Sequence, residues 1–189
     1  MIRIALVGDI GSGKSHYANL FGYPVFNADL IVAEIYKKNK YCFNRIKKKL
    51  PKFFSKFPLK KEELVKCILR NNDNLKKITK IVHPLVRKKM DYFIKKNKNK
   101  KIVILDIPLF LENKLNRKND IIIFIQSSKK DISKRLLKRK NYNKKLISKF
   151  KQIQLPSRIK KKKSDIIIKN YFERKKALKD VKNVLMEII

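Results

Sequence analysis

Glycine is nearly absent from this chain. There are four in 189 residues, and three of them, Gly8, Gly11 and Gly13, fall within six consecutive positions. A chain that avoids glycine elsewhere but concentrates it in one turn needs backbone there that a Cβ would obstruct. Tryptophan does not occur, and cysteine occurs only at Cys42 and Cys67, with no C-x-x-C spacing and no histidine beside them. That excludes a disulfide framework or a thiolate zinc site, and buried free thiols are expected instead. The only histidines, His16 and His83, are not at metal-ligand spacing. Taken alone, both read as structural, His16 packed at the start of a helix and His83 ahead of a helix that begins at Pro84.

Acidic residues are also scarce, 15 against 51 basic ones, for a formal net charge of +36. Such a surface attracts polyanions. Yet only nine of the 51 are arginine, and the lysines run along the whole chain rather than gathering with aromatics on one element. This pattern reads as background composition on solvated faces, so no specific nucleic-acid partner is expected. No apolar run approaches the ~18 residues of a membrane-spanning helix. "MIRIALVG" has no small-residue cleavage site behind a longer apolar core, so it reads as a strand and not a signal peptide. The expectation is a cytoplasmic protein with no membrane partner, a monomer or weak homo-oligomer.

What is present is a set of short apolar runs separated by helical patterns. "IRIALVG" (2–8), "YPVFNAD" (23–29), "KIVILDIP" (101–108), "DIIIFIQSS" (120–128) and "SDIIIKN" (164–170) read as strands. "KSHYANLFG" reads as a short helix closed by Gly22, and "DLIVAEIYKK" as a helix with Asp29 as N-cap. Residues 40–100 carry helical spacing with no strand, residues 129–156 a basic helix, and residues 171–189 a closing helix with Leu178, Val181, Leu185 and Ile188 on one stripe. Strands alternating with helices predict an α/β fold with a five-stranded parallel sheet and right-handed crossovers.

The glycine cluster, "GDIGSGKS", fits G-x-x-x-x-G-K-[ST] between a strand and a helix. Such a turn lets backbone N–H groups converge on phosphate oxygens, with Lys14 on the β- and γ-phosphates and the Ser15 hydroxyl on a Mg²⁺ ion. "KIVILDIP" ends its apolar run in Asp106, which suits a carboxylate near that metal at the strand's carboxyl end. Asp29 could take the proton of an acceptor hydroxyl, or only cap its helix. Arg135 and Arg139, four apart, would share a helix face and could clamp phosphates from a lid, or be two exposed charges.

Taken together and in order, "GDIGSGKS", "FNADLIVAEIY", "KITKIVHPLVRKKM", "VILDIPLFLEN", "KRLLKR", "KFKQIQLP" and "SDIIIKN" resemble the dephospho-CoA kinase family. The resemblance implies a P-loop kinase fold that uses ATP and Mg²⁺ to phosphorylate the ribose 3′-hydroxyl of dephospho-CoA, giving coenzyme A and ADP. It implies Lys14, Asp29 and Arg139 as catalytic groups, with Asp29 the general base. It assigns Gly11, Ser12, Gly13, Lys14, Ser15, His16, Arg135, Arg139 and Asn170 to ATP, Asn170 near the adenine. It gives the acceptor Asp29, His83, Pro108, Leu109 and Glu112, with Gln154 from the lid, and the metal Ser15 and Asp106. The implied layout is a nucleotide-binding core of 1–29, 101–128 and 164–189, a helical region 30–100 for the CoA-side substrate, and a lid at 129–163. Asp9 replaces a glycine usual in the family and is expected to point outward. His16 stands for a usual threonine, Asn27 for a frequent aspartate, and Tyr171 for a usual glycine. The alternatives are another small-molecule P-loop kinase, acting on a nucleoside or nucleotide, or a nucleic-acid-stimulated P-loop ATPase. A GTPase is disfavoured, since "QSSKKD" after the fourth strand has no N-K-x-D motif.

Overall fold

The computed structural model describes residues 1–139 and 142–189, so Lys140 and Asn141 of the expected lid lie outside the described residues. The chain divides into two compact units, Met1–Asn27 with Asn97–Ile189, and Ala28–Lys96.

The first unit is built on strands β1 (Ile2–Val7), β2 (Val25–Asn27), β3 (Ile102–Asp106), β4 (Asp120–Gln126) and β5 (Ile166–Lys169). They form one sheet in the order β2-β3-β1-β4-β5, every pair parallel. Ile4, Leu6, Ile102, Ile104 and Ile123 are fully buried, as continuous apolar runs in a parallel sheet must be when both faces are covered. Each such side chain contributes about 2 kcal/mol of burial. Helices α1 (Lys14–Leu20) and α9 (Arg174–Ile188) pack Tyr17, Ala18, Ala177, Val181 and Val184 into this core. The Tyr17 hydroxyl donates to Asp180 at 3.1 Å. Because β1 lies between β3 and β4, the chain crosses to the other side of β1 after β3. Ligands of open α/β sheets bind at the carboxyl ends of strands where the order reverses in this way.

The second unit is helical: α2 (Ala28–Lys38), α3 (Lys40–Lys49), α4 (Lys61–Arg70) and α5 (Asn72–Lys96). Its core includes Ile35, Phe43, Ile46, Leu64, Ile78, Val82 and Met90. The two cysteines are buried and free.

Several local expectations change. The second strand covers three residues, not 23–29, and α2 already begins at Ala28, so Asp29 lies in its first turn and is not the cap. Helix α5 runs through Pro84 and does not restart there. The proline removes one ladder bond, but Ile78, Ile81 and Val82 before it and Met90 after it are all buried, so packing holds both halves in one helix. The capping residue of α1 is Phe21, with Gly22 the next residue on. The single basic helix expected over 129–156 is two, α6 (Lys129–Leu137) and α7 (Lys144–Gln152). Each has its own cap, Ser128 accepting from the Asp131 N–H and Asn143 from the Leu146 N–H. A third short helix, α8 (Ser157–Lys162), follows.

Candidate active site

The glycine-rich turn leaves the carboxyl end of β1 and enters α1. Gly8 comes so close to β4 that a Cβ there would stand 2.7 Å from the Ile125 carbonyl oxygen. Gly13 sits at the start of α1 with φ 95°, and a Cβ there would run into the Asn170 amide. These two positions answer why glycine persists here: one allows close backbone approach, the other a left-handed conformation.

The loop's shape is fixed by bonds to its carbonyls. The Ser12 carbonyl accepts from the Ser127 hydroxyl at 2.9 Å and from the Asn170 Nδ2 at 2.8 Å. The Asp9 carbonyl accepts from the Ser12 N–H at 3.0 Å. The Lys14 ammonium donates to the Gly8 and Asp9 carbonyls at 3.0 and 3.1 Å, holding its charge over the turn where phosphate oxygens would compete for it.

Asp106 ends β3, is 3% exposed, and pairs in register with Leu6 of β1 and Asn27 of β2. The Asn27 amide donates to its Oδ2 at 2.8 Å, and its other oxygen has no hydrogen-bond donor among the described residues. The Ser15 side chain is exposed at the second position of α1. A carboxylate oxygen and a hydroxyl are the hard donors that magnesium-type cations take. Among the described residues no group of three or more His, Cys, Asp or Glu side chains assembles into a metal cage.

Asn170 is buried, and both ends of its amide are engaged: Nδ2 on the Ser12 carbonyl and Oδ1 accepting the Phe172 N–H at 2.8 Å. Its geometry is that of a brace on the phosphate loop. Phe172 takes φ 61°, a left-handed conformation uncommon outside glycine. The Arg135 guanidinium lies 4.3 Å from its ring centroid, a cation–π contact. Although the residue is exposed overall, partial desolvation of its guanidinium and the Arg139 charge pull the Arg135 pKa below its ordinary value. The two arginines do not share a helix face as expected, because α6 ends at Leu137 and Arg139 lies beyond the capping residue Lys138. Both are exposed.

After β3 the chain turns through Pro108 and Leu109. Pro108 is exposed, and Leu109 takes φ 57° with its carbonyl held by the Asn113 N–H and amide, each at 2.9 Å. Strained backbone at such a strand end often marks a functional site. The Glu112 Oε1 accepts the Leu155 N–H at 2.8 Å, which ties down the segment that carries Gln154. His16 is exposed in the first turn of α1, its ring edge-on to that of Tyr17 with centroids 6.1 Å apart and its N–H on the Gly13 carbonyl at 3.0 Å.

Asp9 departs most from expectation. Its carboxylate turns toward α8, where Oδ1 meets the Lys160 ammonium at 2.6 Å and Oδ2 accepts the Ser157 hydroxyl at 2.6 Å. Burial pushes its carboxyl up. The hydrogen bonds from Lys160 and Ser157, with the Lys160 and Lys14 charges, outweigh this and hold the pKa below the ordinary value.

Two predicted site residues belong to the helical unit. Asp29 is exposed in the first turn of α2, two residues along the chain from Asn27. His83 is half-buried in α5, and burial together with the Arg87 charge lowers its pKa, favouring the neutral imidazole.

Ser127, Phe172, Ser157 and Lys160 are participants that motif reading missed, and Asn27, noted there only as a replacement for aspartate, is the residue that donates to Asp106. Ser127 lies two residues beyond the apolar run that ends at Ile125, and Phe172 four beyond the run that ends at Ile168, a weak signal for residues near strand ends. Lys160 stands first in a run of four lysines, and nothing in the sequence singles it out.

The dephospho-CoA kinase family model matches residues 2–175. A dephospho-CoA kinase of Wolbachia sp. subsp. Brugia malayi is 34% identical over 187 residues, covering 96% of this chain and 95% of that one. That of Bartonella quintana is 33% identical, covering 87% of each chain. The solved structure of TT1252 from Thermus thermophilus superposes with a TM-score of 0.79 at 25% identity, over 100% of this chain and 98% of the other. Dephospho-CoA kinase from Campylobacter jejuni, at 24% identity and a TM-score of 0.64 over 98% and 96%, shares the fold. With its phosphate loop and strand-end carboxylate set in this sheet, and the match extending over nearly its whole length, the chain belongs to the dephospho-CoA kinase family.

Proposed function

We propose that this chain transfers the γ-phosphoryl group of ATP to the ribose 3′-hydroxyl of dephospho-CoA, releasing coenzyme A and ADP in the cytoplasm. The observation that carries the reading is the phosphate loop within a family match over residues 2–175. Its Ser12 carbonyl is drawn away by Ser127 and Asn170, while Lys14 rests on carbonyls that phosphate oxygens can replace. Phosphoryl transfer asks the protein mainly for positioning and for charge stabilisation.

In this reading, N–H groups of the Gly11–Ser15 turn and the Lys14 ammonium hold the β- and γ-phosphates, with His16 behind them. Arg139 and Arg135 meet the phosphates from the lid, 129–163, and the Arg135–Phe172 pair flanks the nucleotide. Asn170 acts by bracing the loop. Asp29 orients the acceptor hydroxyl and accepts its proton. His83 in its neutral form, Pro108, Leu109, Glu112 and Gln154 shape the acceptor pocket, and the helical region 30–100 receives the CoA side of the substrate. Ser15 and Asp106 would hold Mg²⁺. When bound, that ion neutralises charge on the β- and γ-phosphates.

The test is ADP release from ATP with a panel of acceptors: dephospho-CoA, a nucleoside, shikimate and none. Release dependent on dephospho-CoA is expected. Release dependent on another acceptor, or stimulated only by DNA or RNA at physiological salt, would reject the reading in favour of a different kinase or a nucleic-acid-dependent ATPase.

A further inference from the structure

A carboxylate in a phosphate-binding loop is an electrostatic liability, because it repels the ligand the loop is shaped for. Asp9 is such a residue. Its own backbone carbonyl receives both the Ser12 N–H and the Lys14 ammonium. Its side chain is held by Ser157 and Lys160 from α8. Lys160 is the exception in its run: its side chain is 2% exposed, whereas Lys161, Lys162 and Lys163 are all exposed. A lysine is almost never fully buried without a partner, and the 2.6 Å contact to Asp9 supplies one.

We propose that Lys160 is a positioning residue of the triphosphate site. It cancels the Asp9 charge within the loop and, through that ion pair, fixes the Asp9 carbonyl on which Lys14 rests. The pair sets a cation against the one carboxylate within the loop. It also joins the phosphate loop to α8, the last helix of the proposed lid segment. Without Lys160, the Asp9 carboxylate would face incoming phosphates and compete for the Lys14 ammonium. Without Asp9, the Lys160 ammonium would face the same phosphates as an added cation. The two single losses should therefore act in opposite directions on ATP, a pattern that a purely structural pair would not produce.

This inference rests on the reading of the loop as the ATP site. The test is calorimetric binding of ATP, with adenosine as a phosphate-free control, to the full chain and three variants. Lys160→Met is expected to weaken ATP about tenfold and leave adenosine unchanged, the scale of one unscreened charge near a half-buried site. Asp9→Asn is expected to tighten ATP by about threefold. The double variant Asp9→Asn/Lys160→Met is expected to recover ATP binding to within about threefold of the unmodified chain. An equal loss of adenosine and ATP, a fall in thermal stability alone, or a double variant as weak as Lys160→Met would each overturn the proposal. If Lys160→Met does not fold, the other two variants decide, and a tenfold loss of ATP binding in Asp9→Asn overturns it. Failure of the unmodified chain to bind ATP would instead reject the reading of the loop itself.

Discussion

The phosphate loop and the lid segment belong to the same unit but are built differently. The loop is over-determined. Ser127 and Asn170 converge on one carbonyl, Lys14 and the Ser12 N–H on another, and the Asp9 side chain is bonded twice. Around α7 the proposed lid is lightly held, although Ile132 and Leu136 of α6 and Lys160 of α8 are buried. Helix α7 has no buried residue, Arg135 and Arg139 are exposed, and Glu112 makes a single bond to the Leu155 N–H. Segments with few buried contacts open at low free energy. Under the proposed function, the difference is that between a rigid cradle, set before the nucleotide arrives, and a cover expected to close and exclude water afterwards.

Substitutions can break this contrast, beginning with the largest expected effect. Lys14→Ala removes the cradle's charge and should abolish detectable ADP release while weakening ATP in a direct binding assay. Asp29→Asn lies in neither region. It should lower kcat by about 10²–10⁴, the usual range for a lost general base, while ATP affinity stays nearly intact; an unchanged kcat would remove Asp29 as the base. Gly13→Ala drives a Cβ into the Asn170 amide at a left-handed position. It should destabilise the fold by about 1–3 kcal/mol in denaturant unfolding and raise the KM for ATP. Arg139→Ala acts on the cover. It should lower kcat/KM for ATP roughly tenfold, about 1.4 kcal/mol of transition-state binding, with no change in melting temperature.

The smallest effect concerns pH and sharpens the cradle side. The folded-state pKa of Asp9 lies below its ordinary value. The stabilisation from its pairing is therefore fully present above the unfolded value and is lost as pH falls through the folded one. The melting temperature of the unmodified chain should exceed that of Asp9→Asn near neutral pH, with the gap closing as pH drops below about 4. A gap that persists at lower pH would show that the bond does not depend on the charged carboxylate.

The same contrast explains what could be read in the sequence. Apolar runs in a parallel sheet must be buried on both faces, so "IRIALVG", "KIVILDIP" and "DIIIFIQSS" placed β1, β3 and β4 within a residue or two. The glycine cluster located the loop because glycine is so rare in the rest of the chain. Element ends were less legible. The α2 start at Ala28, the passage of α5 through Pro84 and the break between α6 and α7 were decided by packing and capping that spacing alone does not encode. Least legible were residues that act on the loop from distant positions. Ser127, Phe172 and Lys160 are remote from it in sequence, and a lysine in a run of lysines carries no local mark. The expectation that Asp9 points outward failed for that reason: its partner could not be seen.

The central claim is that the acceptor is the ribose 3′-hydroxyl of dephospho-CoA. Its most direct measurement is the position of the new phosphate, read by ³¹P and ¹H NMR on the product made from ATP and dephospho-CoA. A single new monophosphate coupled to the ribose H3′, formed in equal amount with ADP, is the expected result. Phosphate at another hydroxyl, or ADP accompanied only by inorganic phosphate, would contradict it.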